Sequence, residues 1–400
     1  MQQLSSFAES ILVVSAGLTI AIAVRLLAGR LRVPTAAPLL VLAALATDVS
    51  DRLAGLLTFA DVQRIATVAL ILILFEGGTS IGVKRFREAA VPILALGVVG
   101  TFATAGLVAV GAHYLLDLSW TVSGLLGAAL APTDPAVTFS VLAGKEVEGR
   151  SGTILEGESG FNDPVGIALM IAMVEYATSD DGELGPVVSE FAIEMAVGLL
   201  VGAIGGIALA WGVRRIRLPS HSLYPIAVLL AAGMVYGVAS VMHGSGFLAV
   251  FVAGIVVGDV RFRARREVND FNSALSDLSE LAVFVALGLT VDLAFIANEG
   301  LWWRGLVLAA LLGLVVRPLV VGGILLPIRL DWGERLFIVW SGLKGAVPIL
   351  LASLAVVGGT DYAEEIYGIT FVVVLLSVVV QGSAVPAVAA RLGVPMRPAD

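Results

Sequence analysis

The chain reads as long apolar runs broken by short charged or Gly/Pro-rich stretches. Thirteen runs stand out, near 7–28, 34–50, 62–82, 90–113, 120–143, 151–177, 188–212, 222–242, 245–260, 272–291, 302–326, 334–357 and 363–388. Most reach the roughly 20 residues that a helix needs to cross a bilayer; the runs at 34–50 and 245–260 are short. Backbone polar groups in lipid must be satisfied within the segment, so the runs predict helices rather than open strands. The expected fold is an all-α polytopic membrane protein with about 13 transmembrane helices. Composition agrees: 58% of residues are hydrophobic and only 14% are charged, against about 25% charged in a soluble domain.

Charge then assigns sides. Nineteen of the 24 lysines and arginines fall in, or within a turn of, breaks that follow odd-numbered runs, including Arg32, Lys84, Arg85, Arg87, Lys145, Arg261, Arg263, Arg265, Arg266 and Arg397. Only Arg52, Arg64 and Arg304 follow even-numbered runs. Basic loops stay in the cytoplasm, so the N-terminus is expected outside and the C-terminus inside a cell membrane. Asp48, Asp51, Asp61, Asp117, Asp180, Asp181 and Glu183 would then face outward. No basic residue precedes the first run, which predicts a retained spanning helix rather than a secretory signal. The absence of cysteine excludes disulfides and thiolate metal sites. Three scattered histidines, His113, His221 and His243, give no zinc or haem centre, and no cofactor is expected.

The two halves echo each other. ILILFEGGTSIGV (71–83) parallels LAVFVALGLTVDL (281–293), and PLLVLAALATDV (38–49) parallels FLAVFVAGIVVGDV (247–260). APTDPA (131–136) interrupts one run and GLKGAVP (342–348) interrupts its counterpart seven runs later. An odd offset inverts the second copy across the membrane. The chain is therefore expected to be one transport domain: a first repeat over 1–177, a linker helix over 188–212 and a second repeat over 222–391. Inverted repeats with matching broken helices are the signature of secondary transporters, and the breaks mark the binding site.

Ionisable residues within the runs point to the same place. Arg317, Lys344, Glu76, Asp134, Glu158 and Asp163 lie inside apolar segments. Each costs about 2.5–3.5 kcal/mol to insert, so such groups face a partner or a watery path. Pro132 and Pro135 break their helix and free carbonyls, that of Thr133 among them. Asp134 can neutralise exposed helix N-termini there, and Lys344 exposed C-termini. In GESGFNDPVGIAL (157–169), Ser159 and Asp163 are four apart on one face, with Glu158 and Asn162 on the adjoining stripe. Two carboxylates, a hydroxyl and a free carbonyl make a hard oxygen cage for a small hard cation. Burial and nearby positive charge decide whether such a carboxylate holds a proton instead. Cation and proton then compete for one site.

With GESGFNDPVGIAL, APTDPA and GLKGAVP in this order, the chain resembles the monovalent cation:proton antiporter-1 family, the NhaP-type sodium/proton exchangers. The resemblance covers essentially the whole chain. It implies the NhaA/NhaP-like antiporter fold, a homodimer through scaffold helices, and a mobile core carrying the third to sixth and tenth to thirteenth helices. It implies that Asp163 carries cation and proton, with Asp134, the Thr133 carbonyl, Ser159 and Glu76 as further cation ligands. Asn162 is implied as a structural partner, and its lack of charge implies electroneutral exchange. Glu158 is implied to pair with Arg317. Lys344 stands where many members carry Arg, and Gln381 also matches a family position. Many members add a cytoplasmic regulatory region; the chain ends soon after its last run, so that control is not expected here.

The expected function is antiport of sodium, with lithium also possible in the same cage, against protons. A potassium/proton exchanger is the alternative, since the same cage serves either ion. Membrane lipid is the expected environment, with no nucleic-acid partner and no enzymatic activity. A channel explains the breaks and repeats less well. An intramembrane aspartyl protease gives no reason for Ser159, Asn162 or Lys344, and mid-membrane acids outnumbering bases argue against an anion carrier. Structural readings stand beside the functional ones: helix packing for Glu76, dipole compensation for Asp134, and interfacial placement for His113 and His243. The glycines of GLLVGAIGGIAL (198–209) predict close helix packing at a dimer or inter-domain face.

Overall fold

The computed structural model describes residues 2–31, 33–50, 53, 55–142, 145–179 and 184–398. Its first helices are α1 Gln2–Leu31, α2 Ala36–Val49, α3 Phe59–Leu94, α4 Thr101–Leu116, α5 Trp120–Leu130, α6 Pro135–Ser140, α7 Gly149–Thr178, α8 Leu184–Arg215 and α9 Leu223–Val241. The chain continues through α10 Gly246–Gly258, α11 Arg265–Gly288, α12 Leu293–Asn298, α13 Leu301–Leu311, α14 Arg317–Leu325, α15 Trp332–Trp340, α16 Ala346–Val357, α17 Ala363–Leu376 and α18 Ser383–Leu392. Single π-helical turns, Ala95–Gly100, Leu312–Val316 and Ser377–Gly382, join α3 to α4, α13 to α14 and α17 to α18. Among the described residues, five helical stretches are long and apolar enough to cross a membrane: 59–116, 189–215, 223–241, 301–325 and 363–392. Ile204, Leu230, Leu314 and Val380 stand exposed on this surface, as lipid-facing residues do.

Several boundaries differ from the sequence reading. The predicted loop around Lys84, Arg85 and Arg87 is helical. Gly82, at φ 68°, turns the chain in one residue, so no loop is needed. Asp259 of the neighbouring segment then accepts from the Lys84 N–H at 2.8 Å and caps the new start. The tenth run begins earlier than expected, at Arg265, because polar turns precede its apolar part. Helix α12 is an addition; Asp292 caps it by accepting from the Phe295 N–H at 2.8 Å. A short antiparallel pair, β1 Lys145–Val147 with β2 Met396–Pro398, also escaped the periodicity. Arg32, Asp51, Arg52, Asp180, Asp181 and Glu183, used above to assign sides, lie outside the described residues, as do the side chains of Lys145 and Arg397.

Glycine sets the closest crossings. A Cβ at Gly78 would overlap the Phe251 carbonyl, and one at Gly254 the Phe75 carbonyl, so α3 and α10 meet backbone to backbone. Gly198, Gly202 and Gly206 lie against Ser245, Ala249 and Ala253 in the same way. This face of α8 therefore packs within the chain, on α10 and the Ser245 cap before it. The main core, with Phe284, Phe337 and Phe371 fully buried, surrounds the broken helices. A smaller cluster fills the space between α9 and α10.

Candidate functional site

The two breaks meet. Helix α5 ends at Leu130 and α6 restarts at Pro135; α15 ends at Trp340 and α16 restarts at Ala346. The Asp134 N–H donates to the Leu343 carbonyl at 2.8 Å, which ties one break to the other. Lys344 is 4% exposed. Its Nζ donates to the carbonyls of Ala131 and Pro132 at 2.9 and 2.8 Å. Those carbonyls are left open where α5 stops, and the ammonium also meets the negative end of the helix dipole. Asp134 does the converse. A Cβ on Gly345, the residue capping α16, would overlap the Asp134 carboxylate, so that carboxylate sits at the α16 N-terminus. Each half supplies the charge that the other half's break requires.

Around this crossing lies a buried polar frame. Arg317 Nη1 and Nη2 donate to the two carboxylate oxygens of Glu158 at 2.6 and 3.2 Å. The same guanidinium donates to the carbonyls of Ile338 and Val339, both at 3.3 Å, near the C-terminal end of α15. Asn162 Nδ2 donates to Thr133 Oγ1 at 2.8 Å, and that hydroxyl donates on to Glu158 at a long 3.5 Å. Gln381 closes the other side: its amide donates to the Trp340 carbonyl at 2.5 Å and its oxygen accepts from Ser377 at 3.2 Å. Ser377 Oγ in turn accepts from the Lys344 N–H at 3.0 Å. The π-helical turns place these groups. Arg317 directly follows one, Ser377 and Gln381 lie in another, and in the third Gly97 abuts Phe161. Such turns often mark functional sites.

Beside the frame is a cavity of about 270 Å³ lined by Glu76, Ser80, Asp134, Ser159, Asp163 and Glu280, with Phe251 among its apolar walls. Asp163 is 5% exposed. Its Oδ2 accepts from Ser159 Oγ at 3.5 Å, while Oδ1 is buried without a hydrogen-bond partner. A buried ionised oxygen without a partner is costly unless a cation or a proton joins it. Near Ser80, Arg85 donates to the Ser80 carbonyl and to Thr153 Oγ1, both at 3.1 Å, and pairs with Glu156 at 3.6 Å.

The structure thus gathers four of the five expected cation and proton residues, Asp163, Asp134, Ser159 and Glu76, on one cavity. It sets Thr133 and Asn162 behind them, in the frame with Glu158 and Arg317. Sequence reasoning passed over Glu280 and Glu156, which also line this cavity. Glu280 sits on the polar half of α11, four residues from Ser276, where spacing resembles an ordinary solvated helix face.

Residues 15–391 match the family described as sodium/hydrogen exchanger, transmembrane. The K(+)/H(+) antiporter NhaP2 of Shewanella sp. (strain ANA-3) is 33% identical over 339 residues, covering 84% of this chain and 58% of that protein. The K(+)/H(+) antiporter NhaP of Alkalimonas amylolytica is 32% identical over 389 residues, 95% of this chain and 66% of its own length. The Na(+)/H(+) antiporter NhaH of Halobacillus aidingensis is 29% identical over 314 residues, 75% of this chain and 76% of that one. This chain therefore spans under two thirds of the first two. The fold matches the sodium proton antiporter MjNhaP1 of Methanocaldococcus jannaschii with a TM-score of 0.78 at 23% identity, over 94% of this chain and 99% of that one. The chain belongs to the transmembrane sodium/hydrogen exchanger family, a family of transporters.

Proposed function

We propose that this chain exchanges a monovalent cation for a proton across a cell membrane, one for one, with both ions competing for Asp163. The carrying observation is the Asp163 carboxylate, buried, with one oxygen unpartnered, on a cavity shared with Asp134, Ser159 and Glu76. Those groups and the Thr133 backbone are the proposed cation ligands. Glu158, Arg317, Asn162 and Lys344 form the supporting frame. If the core reorients only with the site occupied, each cation moved one way returns a proton the other way. Neutral Asn162 beside Asp163 supports electroneutral stoichiometry.

The architecture we propose for this cycle is thirteen spanning helices in two inverted repeats, 1–177 and 222–391, about a linker at 188–212. Two features support it. Helix α3 packs on α10, and the reciprocal pair, α11 on α2, packs likewise. The π-helical turns before α4 and α14 fall at matching points of the two halves. We place the N-terminus outside and the C-terminus in the cytoplasm, on the basic residues, and infer a homodimer through scaffold helices. The cavity then opens inward, towards the Lys84–Arg87 side. Sodium is the first ion to test. Potassium is the second reading, favoured by the names of the two relatives at 32–33% identity.

Proteoliposomes with an internal pH dye test the reading. Sodium or potassium should each be added with the membrane potential at zero and at a set value. Exchange with at least one ion, indifferent to the potential and lost in Asp163→Asn, is the expected result. Exchange that survives in Asp163→Asn would move the site elsewhere.

A further inference from the structure

We propose that Glu280 is the entry carboxylate of this ion path, gathering the cation at the cavity mouth and setting the apparent affinity for it. The inference rests on the functional reading above. Glu280 of α11 lines the 270 Å³ cavity together with Asp134 and Asp163. It also lines a smaller pocket with Arg25, Thr35 and Ser140, so it stands between the two. The cavity's own claim to a ligand comes from Asp163, 5% exposed, whose Oδ1 has no protein partner.

The surrounding charges single out Glu280. Glu156, the other carboxylate that sequence reasoning missed, is matched by Arg85 at 3.6 Å. Arg25 is the basic residue beside Glu280, but its guanidinium pairs with Asp277 at 2.7 Å. No hydrogen bond or ion pair engages the Glu280 carboxylate among the described residues. When ionised, this carboxylate is therefore open to whatever enters the cavity. Ser276, one turn earlier on the same helix, adds a hydroxyl to the wall. Glu280 is carried by α11, whereas Asp134 and Asp163 are carried by the α5–α6 break and α7. An ion passing from one to the other thus exchanges contacts between elements. A carboxylate in this position raises the local cation concentration without joining the final ligand set.

Purified wild type, Glu280→Gln and Glu280→Asp should be compared by exchange kinetics in proteoliposomes and by thermal unfolding in detergent against sodium and potassium concentration. Removing one carboxylate that no protein group pairs should raise the half-saturating cation concentration roughly three- to tenfold, at nearly unchanged maximal rate. Glu280→Asp should recover most of the affinity. Added choline chloride, which screens charge, should narrow the gap between wild type and Glu280→Gln. A Glu280→Gln protein with wild-type half-saturation in both assays overturns the proposal, as does one that loses maximal rate alone. If wild type shows cation-dependent stabilisation but no proton exchange, the antiport reading fails, while the stabilisation curves still judge Glu280.

Discussion

Glu158 and Arg317 lie on helices far apart in the chain, and each is nearly sealed from solvent. Their pairing illustrates how an expensive charge is held in an apolar protein. The guanidinium meets both carboxylate oxygens and two helix-end carbonyls, so few of its donors are left unsatisfied. Removing one partner is the damaging change. Glu158→Ala should cost about 3–5 kcal/mol, because Arg317 would keep its charge with no counter-ion. Glu158→Ala with Arg317→Met should recover much of that loss. Thermal unfolding in detergent, read by tryptophan fluorescence, checks both, and equal losses in the single and double variants would locate the cost elsewhere. This pair was legible in the sequence through the family resemblance alone, since Glu76 and Glu158 both lie inside apolar runs and Arg317 shares the interior with Lys344. Glu280 was not legible. It sits on a polar stretch where an acid needs no special reason, and only the folded chain brings it to the cavity.

At the scale of elements, the breaks carry the chemistry. Pro132 and Pro135 announced one break, and the Gly-Leu-Lys-Gly stretch announced the other. The sequence also indicated which charge suits which exposed end. It did not indicate the π-helical turns, because one extra residue in a turn leaves the apolar pattern almost unchanged. Nor did it reveal the helical continuation past Gly82, where charge looked like a loop. Gly345 shows how tightly the crossing is drawn. Gly345→Ala would force a methyl group into the Asp134 carboxylate. Overpacking of this kind costs about 1–3 kcal/mol, and displacing a reacting group by an ångström can slow a process about 100-fold. Exchange should therefore fall far more steeply than thermal stability. A variant that unfolds readily but transports normally when folded would show that Asp134 tolerates the shift.

On the scale of the whole molecule, the arrangement predicts a sided opening. The chain contains no cysteine, so a single introduced thiol reports its own surroundings without background. Ser276→Cys lines the cavity and should react with a membrane-impermeant maleimide from the cytoplasmic face of oriented vesicles, and far more slowly from the other face. Leu230→Cys, on the exposed apolar surface, should stay unreactive from both. Labelling of Ser276→Cys from the outer face alone would reverse the orientation read from the basic residues.

The crossing also has a consequence for how the protein is made. The carbonyls of Ala131 and Pro132 wait for an ammonium 212 residues or more further along the chain, and Asp134 waits for the Leu343 carbonyl. Until that second segment emerges from the ribosome and enters the bilayer, the first break carries open backbone groups and an uncompensated helix end. The first half is thus born with an unfinished centre. Its completion is an event late in synthesis, and any pause or insertion error before residue 344 leaves a polar wound in the membrane for quality control to find.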